Sequence, residues 1–412
     1  MTTAATASPV SPRLSTAEKD AILATVVDEL RARREDVIAA NRLDLEAFPD
    51  PSDRAMYDRL VVDDAKVDAM IRAVEEVAAQ ADPVGRVISE VTRPNGLRVV
   101  NRAEPFGTVL IIYESRPDVT VEAAVIAFKA GSRILLKGGK EAVHTNEVLV
   151  ACWREALRQN GQDPDRVRLL TLDRAGTQAF LADPPEPLDL IVPRGGEGLI
   201  RFVKQHATCA VLVSGRGNNF AYVHAAANWP QALAVILNAK TSKISACNAL
   251  DKILVDAALP RFAERLPELI AVLREAGVAV EGDRRVLAQA AEVGLDVAAV
   301  SEATWDEEFL ALRCAIGVVD GLGEAIARVN RHSGGHSATI LTTDADAAEA
   351  FMSGVDAAAV YHNASTRFTD GGEMGVGAEL AISTDKLHHR GPLGTAQLVT
   401  NKYYVYGAGQ IR

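Results

Sequence analysis

From Gly107 onward, strand-like and helix-like segments alternate along the chain, and this alternation limits the possible folds more than any other feature. The pattern TVLIIY (108–113) precedes a helical segment (119–130), and RILLKG (133–138) precedes another (about 144–159). Further strand-like runs follow at 166–172, 189–193 and 210–214. Because strands separated by helices of this length pair in parallel with helices on both faces, the pattern predicts a doubly wound α/β fold.

A second region, about 216–380, shows the same alternation of strands and helices, with a helix near 230–238 and strands near 315–320, 338–342 and 358–361. A chain of 412 residues also exceeds what a single hydrophobic core usually supports. We therefore expect two doubly wound α/β lobes.

The segment before Gly107 differs from the rest. Ser15 and Glu18 form a plausible capping box, and helical spacing continues in pieces to about Ala81. Two alternating runs then flank Pro94-Asn95-Gly96, which is a strong signal for a β-hairpin. Since an isolated hairpin is marginally stable in water, this one is expected to dock on something, and it could pair between subunits.

The charge balance argues against nucleic acid as a partner. With 44 basic and 55 acidic residues, the formal net charge is −11, whereas phosphate-backbone binding relies on clustered Lys and Arg. The chain has neither a secretory-type start nor an apolar run long enough to span a bilayer. We expect a cytoplasmic protein with no membrane partner.

The four cysteines, at 152, 209, 247 and 314, show no ligand spacing, so neither a zinc site nor a disulfide framework is expected. Cys247 lies in a polar stretch of small residues, NAKTSKISACNALDKILV, where Lys240 and Lys243 could favour a thiolate. A catalytic thiol is one interpretation of this context. A semi-exposed, inert cysteine is the better interpretation from local context alone.

Other segments are ambiguous when taken singly. Three glycine turns follow strands, at 137–140, 193–196 and 214–217, and each could approach a phosphate or simply connect two elements. His332 and His336 are four residues apart, but the intervening Ser-Gly-Gly favours a loop, so we predict no metal site. The glycine-rich loop around Arg367 is either a solvated surface loop or an anion-binding loop.

Taken together, six segments resemble the γ-glutamyl phosphate reductases, a branch of the aldehyde dehydrogenase superfamily, over about residue 15 to the end. They are EPFGTVLIIYESRPDVTVEAA, LLKGGKEA, LDLIVPRGGEGLI, NAKTSKISACNALDKILV, NRHSGGHSATI and VDAAAVYHNASTRFTDGGEMGVGAELAISTDKLHHRGP. Local context allowed two interpretations of Cys247, a catalytic or an inert thiol. With this resemblance, Cys247 is the expected nucleophile.

The resemblance implies an aldehyde dehydrogenase-like fold with two lobes and an oligomerisation hairpin, in a homo-oligomer. We predict a flexible tail (1–14), a cofactor-binding domain (15–215) that includes the hairpin (87–104), and a catalytic domain (216–380). The C-terminal segment (381–412) is expected to return to the cofactor lobe or the oligomer interface.

The implied reaction is NADPH-dependent reduction of the small-molecule substrate L-glutamyl 5-phosphate to L-glutamate 5-semialdehyde and phosphate, the second step of proline biosynthesis. Cys247 would form a thioester, its backbone N–H would stabilise the oxyanion, and Ser115 occupies the place of the superfamily's oxyanion-hole asparagine. Hydrolytic relatives carry a general-base glutamate about 35 residues before the nucleophile, whereas ATCAVLVSGRGNNFAY contains no carboxylate here. This absence favours phosphate over water as the partner of the thioester.

Further roles are implied by the same resemblance. NADP would be held by Lys137 at the adenosine ribose, Lys140 at the 2′-phosphate and Glu308 at the nicotinamide ribose, with Gly195 and Gly196 beneath the pyrophosphate. The predicted substrate-binding residues are Arg367, Arg116 and Asn363.

Three departures from the family pattern leave the substrate open: SGRGNNFAY replaces a histidine-containing segment, Ala338 replaces an acid, and Lys243-Ile244 replaces Arg-Pro. The alternatives are a related NADP-dependent aldehyde dehydrogenase or acyl-phosphate reductase with another substrate, and a catalytically silent assembly subunit.

Overall fold

The structure of this protein is a computed structural model, and it describes residues 13–48 and 54–412. The predicted flexible tail of residues 1–14 lies outside the described residues except for its last two. Of these, Leu14 is buried against the first hydrophobic core, so the packed part of the chain begins before the capping box.

Residue contacts divide the chain into two compact units. Unit 1 comprises the chain up to Val213 together with Val376–Ala381 and Leu393–Arg412. Unit 2 comprises Ser214–Gly375 and Ile382–Pro392. The first division lies close to the predicted boundary after residue 215. The predicted C-terminal segment is shared: its residues 382–392 belong to unit 2, and the rest belongs to unit 1.

The α-helices are α1 (Thr16–Ala32), α2 (Arg34–Glu46), α3 (Arg54–Leu60), α4 (Asp64–Ala79), α5 (Asp118–Lys129), α6 (Val143–Gln159), α7 (Arg174–Ala182), α8 (Glu197–His206), α9 (Trp229–Thr241), α10 (Phe262–Glu275), α11 (Arg284–Glu292), α12 (Leu322–His332) and α13 (Ala345–Gly354). The predicted capping box is confirmed, because Ser15 and Glu18 bond each other's backbone N–H at the start of α1.

The strands are β1 (Val87–Thr92), β2 (Arg98–Pro105), β3 (Thr108–Tyr113), β4 (Arg133–Lys137), β5 (Val167–Leu169), β6 (Leu190–Arg194), β7 (Ala210–Val211), β8 (Asn219–Val223), β9 (Leu250–Asp256), β10 (Ala279–Gly282), β11 (Ala298–Ala299), β12 (Arg313–Val319), β13 (Ser337–Leu341), β14 (Ala359–His362), β15 (Ile382–Ser383), β16 (Gly391–Pro392) and β17 (Val399–Tyr406).

Unit 1 is built on a parallel sheet of order β5-β4-β3-β6-β7. Alternate side chains of β3 enter different cores: Val109 and Ile111 pack in one, whereas Leu110 and Ile112 pack in the other. Helices therefore cover both faces, as a doubly wound sheet requires. The strand order reverses between β3 and β6, and ligands of such sheets bind at the carboxyl ends of strands beside that point.

Unit 2 contains a parallel sheet of order β11-β10-β12-β9-β8-β13-β14. Its strands obey the same alternation: Ile253 and Val255 of β9 face one core, whereas Leu254 faces the other. The predicted α/β class, with parallel sheets and helices on both faces, is thus confirmed.

A separate three-stranded antiparallel sheet has the order β1-β2-β17. The predicted hairpin is present: β1 and β2 are joined through Pro94-Asn95-Gly96, and Gly96 adopts a positive φ of 84°. The sequence pattern did not predict that β17 would pair with β2 along its whole length. Among the described residues, no helix is both long and apolar enough to cross a membrane.

Some strand boundaries differ from the prediction. The runs predicted at 166–172 and 210–214 form strands of only three and two residues, β5 and β7. Strand β8 was not predicted, because it begins directly after the polar run Arg216-Gly217-Asn218, which resembles a turn. Buried β-sheet pairing with β9 and β13 overrides that local pattern.

Candidate active site

Cys247 lies in the loop between the end of α9 at Thr241 and the start of β9 at Leu250, and its side chain is exposed. Two other cysteines differ sharply from it. Cys152 and Cys314 are buried, and burial raises the pKa of each thiol to about 12. Of these three thiols, Cys247 alone is open to an incoming electrophile.

The backbone beside Cys247 is held by the side chain of Asn219, at the first position of β8. Its Nδ2 donates to the carbonyl oxygens of Cys247 at 2.8 Å, Ala249 at 2.7 Å and Gly217 at 2.9 Å. Asn219 is fully buried, so these contacts replace water for carbonyl groups that helix or sheet does not pair. One amide thereby anchors the nucleophile loop on the central strands of unit 2.

Gly217 lies between the backbone carbonyl of Cys247 and the carboxylate of Glu308. A Cβ at this position would overlap with the carbonyl oxygen of Cys247 and lie 2.6 Å from Oε1 of Glu308. Only a residue without a side chain allows this approach, which explains why the turn after β7 carries glycine here. The structure thus brings the predicted Glu308 to the backbone of the predicted nucleophile, within unit 2.

The loop that contains Arg367 packs against the same segment. Thr366 Oγ1 donates to the carbonyl of Asn248 at 2.8 Å, and Asn248 Nδ2 donates to the carbonyls of Arg367 and Thr369 at 3.1 and 3.0 Å. Arg367 Nε donates to Ser242 Oγ at 3.2 Å. A half-buried guanidinium therefore lies at the beginning of the Cys247 loop.

Asn363, the other predicted substrate residue of unit 2, makes local contacts. It adopts a left-handed φ of 55°, its Oδ1 accepts from the N–H of Thr342 at 2.9 Å, and its Nδ2 donates to the carbonyl of Thr342 at 2.7 Å. The side chain thereby fixes the turn after β14. Its role toward a substrate stays a prediction.

In unit 1, a pocket of about 260 Å³ lies at the carboxyl ends of β4 and β5. Both predicted cofactor lysines line it. Lys137 is half-buried and donates to the carbonyl of Gly138 at 2.9 Å, and burial lowers its pKa although Glu141 and Asp173 oppose that shift. Lys140 is exposed at the mouth. This part of unit 1 offers cationic groups beside an apolar floor.

Gly195 and Gly196 precede α8 at the carboxyl end of β6, next to the point where the strand order reverses. The Glu114 carboxylate approaches them from the end of β3: its Oε2 accepts from the N–H of Gly196 at 3.0 Å, and a Cβ at Gly195 would lie 2.5 Å from it. A carboxylate thus lies at this helix N-terminus, which attracts anions.

Ser115 and Arg116, both predicted site residues, follow β3 in unit 1. Ser115 is buried, and its Oγ lies 3.4 Å from Oε2 of Glu141. Arg116 is about half exposed and pairs loosely with Asp118 at 3.4 Å, and Lys66 pairs with the same carboxylate at 2.9 Å. Arg116 therefore keeps donors directed to solvent.

The two histidines near residue 334 lie apart from this chemistry. Helix α12 ends at His332, and Gly334 and Gly335 adopt positive φ, which confirms the predicted loop. His332 contacts Asp306 at 2.9 Å, whereas His336 is fully buried and burial lowers its pKa to about 4. Among the described residues, His, Cys, Asp and Glu form no group of three that could hold a metal ion.

The sequence patterns missed several residues that build this site: Gly217, Asn219 and Asn248 around Cys247, and Glu114 at α8. The run Gly-Asn-Asn before the continuous apolar segment 220–223 was a usable signal, because buried side-chain amides commonly bind backbone groups. The other contacts join residues far apart in sequence, which no local pattern shows.

Comparison with known proteins identifies the class. The sequence profile of the aldehyde dehydrogenase family matches residues 1–292. Solved structures at low identity share the fold: a probable aldehyde dehydrogenase from Listeria monocytogenes is 17% identical with a TM-score of 0.68, covering 97% of this chain and 93% of the other. The chain belongs to the aldehyde dehydrogenase family.

More similar relatives define the branch of that family. The gamma-glutamyl phosphate reductase of Koribacter versatilis is 44% identical over 98% of this chain and 97% of its own. The crystal structure of gamma-glutamyl phosphate reductase from Thermotoga maritima has a TM-score of 0.92 at 40% identity, covering 97% of this chain and 95% of that one. The resemblance to the gamma-glutamyl phosphate reductases is therefore confirmed.

Proposed function

We propose that this protein is an oxidoreductase that reduces L-glutamyl 5-phosphate with NADPH to L-glutamate 5-semialdehyde and phosphate, in the second step of proline biosynthesis. The observation that carries the proposal is the 44% identity over 98% of the chain to a gamma-glutamyl phosphate reductase. The exposed Cys247, on a loop anchored by Asn219 of β8, supports it with a nucleophile in the expected place.

The chemistry divides one difficult carbonyl reduction into two steps. The Cys247 thiolate attacks the acyl carbon, an S–C bond forms, and the C–O bond to phosphate breaks to give a thioester and free phosphate. NADPH, when bound, supplies the hydride that reduces the thioester carbonyl. Collapse of the resulting hemithioacetal releases the aldehyde and regenerates the thiol.

Two donors are proposed for the oxyanion of each tetrahedral intermediate: the backbone N–H of Cys247 and the hydroxyl of Ser115. Asn219 binds the carbonyl of Cys247, which belongs to the peptide after this residue, and thereby limits the movement of the residue that carries the first donor. The Ser115 hydroxyl donates to Glu141 Oε2 at 3.4 Å in the structure, so it must turn away from that carboxylate to act as the second donor.

The residues of unit 1 fit a nicotinamide dinucleotide. We assign the pocket lined by Lys137 and Lys140 to the adenosine ribose and its 2′-phosphate, and the turn of Gly195 and Gly196 to the pyrophosphate. Three observations support this fit: the lysines provide positive charge, glycine lets a phosphate approach the backbone, and the turn borders the strand-order reversal. The Glu114 carboxylate accepts from the N–H of Gly196 in the structure, so it must turn away before a pyrophosphate binds there. In unit 2, Glu308 is assigned to the nicotinamide ribose.

Replacing Lys140 by glutamate tests the preference for NADPH over NADH. The exposed ammonium at the pocket mouth favours the 2′-phosphate, whereas a carboxylate would repel it and accept hydrogen bonds from a free 2′-hydroxyl. We expect the ratio of kcat/KM for NADPH to that for NADH to fall about 10- to 100-fold, a change of 1.4 to 3 kcal/mol. An unaltered ratio would assign 2′-phosphate recognition to another group.

For the substrate, we propose that Arg367 of unit 2 and Arg116 of unit 1 each bind its phosphate or carboxylate, and that Asn363 of unit 2 also contributes to substrate binding. The position of Arg367 beside Ser242, at the start of the Cys247 loop, supports its assignment. The assignment of Arg116 is supported by its half-exposed guanidinium, which a ligand in solution can reach.

Two of the three departures from the family pattern lie at buried positions, whereas the third, Lys243-Ile244, includes an exposed lysine four residues before Cys247. Asn218 donates to the carbonyls of Trp305 and His332, at 2.6 and 2.7 Å, and Ala338 is fully buried in β13. Because these side chains have no surface open to a ligand, the substitutions affect packing rather than substrate contacts. These two departures therefore do not argue against L-glutamyl 5-phosphate as the substrate.

The direct test runs the reaction in reverse, with L-glutamate 5-semialdehyde, NADP⁺ and phosphate, following NADPH by absorbance. Turnover that requires phosphate supports the proposal. Turnover without phosphate would indicate an ordinary aldehyde dehydrogenase, and no turnover by folded protein would indicate a silent subunit.

We also propose a cytoplasmic homo-oligomer assembled through the sheet β1-β2-β17. The sheet exposes a row of large apolar side chains, among them Val91 and Val405, each about half exposed or more, which is a large apolar surface for a monomer. None of the four cysteines, all of which lie in the described part of the chain, forms a disulfide, which suits a reducing compartment. We expect Val405→Lys to reduce the molar mass measured by light scattering, and an unchanged mass would argue against this interface.

A further inference from the structure

Unit 2 contains two lysines that are fully buried, Lys240 and Lys252. Lys240 is neutralised directly, because its ammonium pairs with Asp251 at 2.8 Å. The ammonium of Lys252 instead donates to the backbone carbonyl of Glu307 at 2.8 Å and lies 3.5 Å from the centre of the Phe309 ring. Removing an ammonium from water is costly, and a carbonyl and an aromatic face offset only part of that cost. An apolar side chain would fill this position at lower cost.

A bulge in the sheet explains how neighbouring side chains reach the same loop. Consecutive residues of a strand normally point to opposite faces. Here the register between β8 and β9 shifts: Asn219 pairs with Leu250, and the next residue, Phe220, pairs with Lys252. Asp251 is the extra residue of this bulge, a feature that re-aims side chains. Asp251 and Lys252 can therefore both contact the segment around Glu308.

The two contacts fix the peptide groups on either side of Glu308. Lys252 binds the carbonyl of Glu307, which belongs to the peptide before Glu308. Asp251 Oδ2 accepts from the N–H of Phe309 at 2.8 Å, which belongs to the peptide after it. The segment 307–310 has no helix or sheet bonding of its own. Its backbone direction at Glu308 is set by these two side chains.

The ring of Phe309 adds a third constraint. The guanidinium of Arg313 lies 4.2 Å from the ring centre, in addition to the Lys252 ammonium, and Arg313 also pairs with the Glu307 carboxylate at 3.0 Å. Cations near an aromatic ring hold it in place. We call Lys240, Asp251, Lys252 and Phe309 the buried cation cluster.

We propose that the buried cation cluster is a positioning device, in which Asp251 and Lys252 hold the backbone on both sides of Glu308 and so aim its carboxylate at the nicotinamide ribose. This inference rests on the proposed function, since it needs Glu308 to bind the cofactor. The strand that follows the nucleophile thereby also orients the cofactor ligand. Asp251 and Lys252 follow Cys247 by four and five residues.

The decisive variant is Lys252→Met, which keeps the volume and removes the charge and the hydrogen bond. We expect KM and Kd for NADPH to rise about 10-fold and kcat to fall by a similar factor, corresponding to loss of one oriented contact. The alkylation rate of Cys247 by iodoacetamide should not change. The melting temperature should stay the same or rise, because a buried charge is replaced by an apolar group.

Three further variants make the result specific: a single variant at Glu308, a double variant and a control in unit 1. Glu308→Gln should give the same kinetic pattern, and the double variant Glu308→Gln, Lys252→Met should be no worse than the poorer single one. The control is Lys129→Met in unit 1, because Lys129 is about as buried as Lys252 and donates to a backbone carbonyl at 2.9 Å, although it also pairs with Asp20 at 2.7 Å. It should alter stability and leave NADPH kinetics intact.

The outcomes separate this inference from the proposed function. If wild-type protein binds no NADPH, the proposed function fails. If wild-type protein binds NADPH and folded Lys252→Met has unchanged KM and kcat, the positioning role is overturned, whatever the melting temperature. Full additivity with Glu308→Gln would overturn it as well, because Lys252 would then act elsewhere.

The pH profile gives an independent readout. Burial lowers the pKa of Lys252 to about 8, with Asp251 and Glu307 favouring its charged form and Lys240 opposing it. The thiol of Cys314 stays protonated there, since its pKa is raised to about 12. Above about pH 8, loss of this charge should raise KM for NADPH in the wild type but not in Lys252→Met. Over the same range the folded wild type should gain stability, because the unfolded chain holds that proton more tightly.

Discussion

The Cys247→Ser variant is expected to lose at least about a thousand-fold in kcat with NADPH and the acyl phosphate, while its Kd for NADPH and its melting temperature stay unchanged. A serine hydroxyl at neutral pH lacks an accessible anion, so the thioester cannot form and the hydride has no activated acyl group to reduce. The side chain is exposed, so its replacement opens no cavity.

Cys209→Ser is the matched control for this experiment. Cys209 is partly buried, and burial raises the pKa of its thiol, so its removal should leave turnover intact. Mass spectrometry adds a direct check: incubation with the semialdehyde and NADP⁺ in the absence of phosphate should leave an acyl group on the wild type and none on Cys247→Ser. Turnover retained by Cys247→Ser, or acylation at Cys209, would remove Cys247 from the reaction.

The α/β fold was predictable because its signals are local. Strand β3 is a short continuous run of apolar residues, typical of a strand buried on both faces, and the longer apolar segment that follows it is typical of a buried helix. Strand lengths were less predictable: β7 ends at Val211 although apolar residues continue to Val213. Pairing partners decide where a strand stops, and these come from distant parts of the chain.

The candidate site was predictable only in part. Local context favoured an inert thiol at Cys247, and the family resemblance reversed that interpretation. The contacts that define its surroundings stayed hidden, because Asn219 reaches Cys247 across 28 residues and Asp251 reaches Phe309 across 58. Such contacts depend on strand order and on the bulge in β9, and the local periodicity of the sequence predicts neither of these features.

These long-range contacts share one consequence for unit 2. Strand β8 holds the carbonyl of Cys247 through Asn219, and strand β9 holds the backbone beside Glu308 through Asp251 and Lys252. The two strands are neighbours in the sheet, so a single rigid element supports both groups. Displacement of Cys247 should therefore also displace Glu308, and the reverse. Gly217 lies between these two residues and is the most sensitive position.

Gly217→Ala is the substitution that should test this coupling most severely. Its added methyl group would overlap with the backbone carbonyl of Cys247 and lie 2.6 Å from the carboxylate of Glu308, and backbone cannot yield as a side-chain end can. A displacement of about 1 Å at reacting groups can cost about 100-fold in rate, so we expect kcat to fall by at least that factor.

The expected signature is a joint defect: slower alkylation of Cys247 by iodoacetamide together with a higher KM for NADPH, in protein that still folds. Gly323→Ala, in the first turn of α12 with open space around its Cα, is the control and should keep full activity. A Gly217→Ala enzyme with normal alkylation of Cys247 and a normal KM for NADPH would show that the added methyl group displaces neither Cys247 nor Glu308. The shared support from β8 and β9 would then have no bearing on catalysis.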